Sequence, residues 1–201
     1  MADFRTVALG AATVAVIAVP VTLALTDRHL ADASAALVLS TAAGGLAVSA
    51  LVLQPLLARG RRIARHQILG TVAFVLVLVH VGALFAESPG DAWFALSPDG
   101  PTRARMALIA TIALFGAVAL GALRSRLSLG GGTWRVLHAY LAAVVIALGI
   151  GHAVLTDGAL DDAGTTVLIA LGALGLLGIP AAHAARSRRA RRGQSSGVSI
   201  P

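Results

Sequence analysis

The chain reads as long apolar runs broken by short segments of charge and turn formers. Six runs occur, at residues 7–25, 35–57, 67–86, 105–123, 135–155 and 164–183. Each is close to the about 20 residues with which a helix crosses about 30 Å of hydrocarbon. The breaks include Ser88-Pro89-Gly90 and Gly130-Gly131-Gly132, residue types that end helices and open turns. Hydrocarbon offers a backbone no hydrogen-bond partners, so a spanning segment must satisfy its own N–H and C=O groups, as a helix does. The runs are too continuous for the alternating strands of a membrane barrel. The pattern predicts an all-α, integral membrane six-helix bundle over residues 1–185. A basic tail, 186–201, is expected to follow it disordered in water or in contact with anionic lipid.

Composition strengthens this reading. Apolar residues make up 57% of the chain, charged residues 12%, and the mean hydropathy is +0.86. A water-soluble core of this size could not enclose so much apolar surface. There is no cysteine, which excludes disulfides, thiolate metal sites and iron–sulfur clusters within the chain. All sixteen basic residues are arginine, so Schiff-base and P-loop lysines are excluded too. The net charge of +7 lies in loops and the tail, which suits membrane topology and not nucleic acid. Thirteen of the arginines, among them Arg59, Arg61, Arg62, Arg65, Arg124, Arg126, Arg135 and the tail cluster, fall on one side of the six spans. Cationic loops stay in the cytoplasm, so an inner (plasma) membrane protein with both termini cytoplasmic is expected. The first run is longer than the apolar core of a secretory leader and is expected to remain as a span.

The histidines carry the chemistry. His29 and His183 fall at span ends, where they read as surface residues. The other four form two pairs, His66 with His80 and His138 with His152, each separated by fourteen positions and each on one helix, the third and the fifth. Fourteen residues rise about 21 Å and stop about 40° short of four full turns, so both members share a helix face at different depths. Both helices leave an arginine-rich segment on the same side and are therefore parallel. His66 then lies level with His138, and His80 with His152. Two imidazoles facing at one depth can supply both axial ligands of an iron porphyrin, so two haem layers are expected between helices 3 and 5. Interhelical hydrogen bonds or a proton path are the competing uses of intramembrane histidines. Zinc is disfavoured, because it wants three or four side-chain ligands together. Arg62, Arg65 and Arg135 stand where the propionates of an inner haem would need cations, and Arg103 and Arg105 where an outer haem would. Trp93, Trp134 and Tyr140 fit interfacial aromatic belts, with Trp93 and Phe94 also bordering the outer face. No further internal repeat is evident.

Two segments resemble a known family. Arg65-His66-Gln67-Ile68-Leu69-Gly70, running on to His80, is similar to the third span of ferric-reductase-like transmembrane domains. Leu129-Gly130, then Trp134-Arg135-Val136-Leu137-His138 and Tyr140, running on to His152, resembles their fifth span. The likeness covers about residues 40–155 of a superfamily that includes ferric reductases, NADPH oxidases and MsrQ-type haem subunits. It implies a haem-binding bundle that moves electrons outward from the cytoplasm, with the same histidine pairings. Larger members add a flavin- and nicotinamide-binding module after the last span; here an arginine-rich tail follows, without a G-x-G-x-x-G unit.

The expectation is thus a di-haem b-type cytochrome subunit, the electron-transfer part of an oxidoreductase and not a self-contained enzyme. Two haem b groups are expected, while no motif indicates the flavin for which the resemblance leaves room. A cytoplasmic flavin reductase would be the donor, and an extracytoplasmic redox protein or a ferric chelate the acceptor. A quinol-linked di-haem cytochrome b anchor uses the same ligand pattern and stands as the alternative. A haem-free transporter or structural membrane protein is the alternative of another class.

Overall fold

The computed structural model describes residues 30–58, 63–156 and 162–195, with a few positions between 18 and 26. Among these residues it is all-helical, without strands. The helices are α1 (Ala35–Leu57), α2 (Ile63–Glu87), the short α3 (Pro89–Leu96), α4 (Thr102–Ala122), α5 (Gly131–Val154) and α6 (Asp162–Ser195). All but α3 are long and apolar enough to cross a membrane. The chain is a multi-pass helical membrane protein. The expected first span, 7–25, lies for the most part outside the described residues.

Boundaries differ from the sequence expectation where local chemistry extends a helix. α2 starts at Ile63, four residues before the expected run, because helix 2 of the bundle continues through polar Arg65 and His66. Hydropathy marks what lipid can solvate, and a helix need not stop there. Ser88-Pro89 opens α3 instead of a plain turn: the Ser88 hydroxyl accepts from the Asp91 N–H at 3.4 Å, and proline sits in the first turn, where its missing donor costs nothing. In the glycine run, Gly130 is the N-cap of α5 and Gly131 its first residue. α6 continues to Ser195, so the first part of the expected tail is helical. Its alanine and arginine content favours that extension. Residues 196–201 lie outside the described residues.

The helices assemble as two antiparallel hairpins, α1 with α2 and α4 with α5, and α6 packs against α1 and α5. Small residues make close packing within each hairpin feasible. On α1 the buried face runs Ser40, Ala43, Ala47, Ala50, Gln54, and on α4 it includes Ala110, Ala113, Ala117 and Leu120. These steps of three and four keep one stripe of an α-helix on its partner, and alanine lets the backbones approach. Large apolar side chains such as Ile68, Val75, Ile112 and Leu177 point outward, as lipid-solvated residues do.

The two histidine-bearing helices, α2 and α5, share almost no direct backbone packing. Each is held from behind by its hairpin partner. Midway along them, Ala113, Leu114 and Val145 form an apolar layer with Leu51, Phe74, Val77, Val118, Leu141 and Val144. Phe74 meets Phe115 edge-on at 4.8 Å there.

Candidate functional site

The imidazoles of α2 and α5 face one another in two layers. The rings of His66 and His138 have centroids 6.1 Å apart and planes inclined by 68°. Those of His80 and His152 are also 6.1 Å apart, inclined by 69°. All four are half-buried. Neither His66 with His152 nor His80 with His138 is brought together. The fourteen-residue separation places the layers about 21 Å apart along the helices, with the apolar Phe74–Phe115 layer between them.

Three of the rings, those of His66, His80 and His152, are held by the segment behind their own helix. The Nδ1 of His80 lies 2.9 Å from the Ser40 carbonyl and 2.9 Å from the Ser40 hydroxyl, which itself donates to the His80 carbonyl at 3.1 Å. The Nδ1 of His66 lies 3.1 Å from the Gln54 carbonyl, one of the four acceptors left unpaired at the end of α1. The Nδ1 of His152 lies 3.0 Å from the carbonyl of Arg103. A carbonyl can only accept, so in the neutral rings of His80 and His152 Nδ1 carries the proton and Nε2 the lone pair. That is the tautomer of a histidine that ligates through Nε2.

His138 differs. Its Nδ1 is buried and faces the Ala117 carbonyl without a hydrogen bond of full geometry. The ring instead stacks on Trp134, with centroids 5.0 Å apart and planes within 8° of parallel. The Trp134 Nε1–H donates to the Leu120 carbonyl at 2.9 Å, and the Arg124 guanidinium lies 4.2 Å from the indole centre.

Two glycines permit these contacts. A methyl group on Gly44 would stand 3.0 Å from His80 Nδ1 and 3.2 Å from its Cε1, so the missing Cβ lets the ring rest on α1 without giving way by a few tenths of an ångström. On Gly70 it would stand 3.3 Å from the Gln54 amide. That amide, buried between α1 and α2, donates to the His66 carbonyl at 3.1 Å and to His66 Nδ1 at 2.5 Å, and accepts from the Gly70 N–H at 2.6 Å. It bridges the backbone turn on which His66 stands.

The arginines divide. Arg65 is exposed in the first turn of α2, and Arg135 is exposed in the first turn of α5 with its guanidinium back near Gly131. Both are near the His66–His138 end. Arg62 lies outside the described residues, as does His29, and the His183 side chain is not described. Arg103 reaches His152 through its carbonyl. Arg105 donates to the Pro98 carbonyl and the Thr102 hydroxyl, at 3.3 and 3.2 Å, so its guanidinium is engaged by the loop before α4. Trp93 and Phe94 are exposed on α3, with Trp93 edge-on to Phe85 at 5.3 Å. Among the described residues no three or more of histidine, cysteine, aspartate and glutamate come together as a metal-holding cluster.

The sequence reading missed the supporting helices. Ser40 and Gln54 are fourteen positions apart, the same spacing as the histidines they hold, and so are Arg103 and Ala117 on α4. On antiparallel helices equal spacing brings each member of one pair opposite a member of the other. The two hairpins therefore repeat one arrangement, with α1 behind α2 as α4 is behind α5. Polar Ser40 and Gln54 inside an apolar run were the available signal, since such residues in membrane helices usually face protein.

Comparison of the chain with protein-family models, with curated proteins and with solved structures finds no match.

Proposed function

We propose that the chain is a di-haem b-type cytochrome subunit that carries electrons across the membrane, one haem held by His66 and His138 and the other by His80 and His152. The observation that carries this reading is the pair of 6.1 Å ring separations, one above the other, between helices that otherwise hardly touch. A metal midway between two imidazoles, with bonds of about 2.0–2.1 Å and ring centres about 1.2 Å behind the bonding nitrogens, separates the centroids by about 6.4 Å. The residues present fit that demand to within a few tenths of an ångström. Two side-chain ligands are too few for a structural zinc site, whereas a porphyrin brings four equatorial nitrogens of its own and needs two axial donors.

Bound haem would supply one-electron chemistry. The chain's own residues set its terms. The Ser40 and Arg103 carbonyls orient His80 and His152 and strengthen them as donors, while the Gln54 backbone and amide hold His66. The apolar layer around Phe74 and Phe115 keeps water from the space between the two sites. Arg65 and Arg135, with Arg62, are suited to pair with propionates at the His66–His138 end, and Arg103 and Arg105 at the other. With the arginine-rich ends in the cytoplasm, and hence both termini, a flavin reductase there would reduce the His66–His138 haem first. The electron would leave from the His80–His152 haem to an extracytoplasmic redox protein or a ferric chelate. The ferric-reductase-like resemblance and the two-layer geometry together support an inner-membrane electron-transfer subunit.

The test is an absorption spectrum of the purified protein with a pyridine-haemochrome count. Two low-spin haems per chain are expected. His66→Ala and His138→Ala should each remove the same haem, and His80→Ala and His152→Ala the other. A colourless protein, or full haem content after all four replacements, refutes the proposal.

A further inference from the structure

Three of the four facing imidazoles are fixed through Nδ1 by a hydrogen bond, and His138 is not. The repeat between the hairpins sharpens the contrast. Where α1 offers Gln54, whose carbonyl lies 3.1 Å from His66 Nδ1 and whose amide braces the ring and its turn, α4 offers Ala117, which has no amide to give. An imidazole without a directional bond can rotate about its side-chain torsions, which broadens the geometry it presents to a metal.

The indole of Trp134 stands in that place. It sits one turn before His138 on α5, the spacing that lays one side chain over another on a helix face. Its own orientation is set at a second point, because its N–H donates to Leu120, whose carbonyl is among the last four of α4 and lacks an intrahelical partner. The Arg124 guanidinium over the ring adds a cation–π contact. The stack holds the imidazole plane, but it withdraws nothing from Nδ1–H.

We propose that Trp134 is a positioning residue for His138, holding by stacking the one imidazole of the four whose Nδ1 makes no hydrogen bond of full geometry and leaving it a weaker electron donor than His80 and His152. A carbonyl on Nδ1–H pushes electron density toward Nε2 and stabilises the oxidised metal, so its absence makes the site's potential more positive. The metal of the His66–His138 pair therefore owes part of its potential to a missing hydrogen bond. This rests on the haem reading above.

The experiment compares wild type, Trp134→Phe and Trp134→Leu in the full-length protein by spectroelectrochemical titration and by electron paramagnetic resonance of the oxidised state. The two potentials are assigned with His138→Ala and His80→Ala. Trp134→Phe keeps a flat ring on the imidazole and should leave both potentials and both ferric signals as in wild type. Trp134→Leu frees the ring to reach the Ala117 carbonyl. It should broaden or shift the ferric signal of the His66–His138 site alone and move that site's potential negative, with the His80–His152 site unchanged. Loss of the His66–His138 haem in the leucine variant together with its retention in the phenylalanine variant equally supports stacking as the holding force. Unchanged signals in the leucine variant, equal shifts at both sites, a positive shift, or the same loss in both variants overturns the inference. Wild type without haem would instead remove the reading on which it rests.

Discussion

Gly44→Ala tests the His80 cradle at one atom. The new methyl carbon would lie 3.0 Å from Nδ1 and 3.2 Å from Cε1 of the ring, and both contacts involve a side chain already pinned to Ser40 at 2.9 Å. An ordinary van der Waals contact for such atoms is about 3.5 Å, so the ring must withdraw by about 0.5 Å. Withdrawal stretches the 2.9 Å bond to the Ser40 carbonyl toward about 3.4 Å, beyond good hydrogen-bond range. Losing that bond costs about 0.5–1.5 kcal/mol, and a rotamer strained to keep it costs a similar amount. Either way the imidazole is displaced from its partner His152. The affinity of the His80–His152 site should fall about 5–30-fold, the equivalent of about 1–2 kcal/mol. The assay is haem titration of the purified apoprotein, with Gly45→Ala as control. Among the described residues a methyl there meets only Val21, at an ordinary 3.4 Å. Unchanged affinity in Gly44→Ala, or loss confined to the His66–His138 site, would refute the cradle.

Gln54→Leu removes the amide that bridges the His66 carbonyl and the Gly70 N–H. At about 0.6–1.7 kcal/mol per intramembrane hydrogen bond, it should lower the thermal stability of the detergent-solubilised protein and weaken the His66–His138 site selectively. Ser34→Ala deletes the hydroxyl that accepts from the Leu37 N–H at 3.1 Å and donates to the Glu87 carboxylate, joining the start of α1 to the end of α2. A loss of about 0.5–2 kcal/mol is expected in unfolding experiments, with both haems retained. The ring planes, 68° and 69° apart, predict strongly anisotropic low-spin ferric signals at both sites. A well-resolved rhombic signal, typical of parallel ligand planes, would contradict these orientations.

Helical character and the approximate spans were legible because lipid imposes a one-dimensional rule: a segment either satisfies its own backbone for about 20 residues or does not cross. The ends were less legible, as α2 shows by taking in Arg65 and His66, since helix propagation depends on the next hydrogen bond and not on hydropathy. The layers of histidine were readable from one number, fourteen, because rise and twist per residue are constants of the α-helix.

What the sequence determined by itself was therefore what a single helix can carry: its length, its face, and the depth of each imidazole upon it. Which carbonyl meets which Nδ1 was decided by the hairpins, through the approach that Gly44 and Gly70 permit and the amide that Gln54 inserts. Only the assembled bundle set the Trp134 N–H on the Leu120 carbonyl and brought the rings of His66 and His138 to 6.1 Å. Such contacts join residues on different helices or loops, and their geometry follows from how closely the backbones pack, a quantity no local periodicity contains.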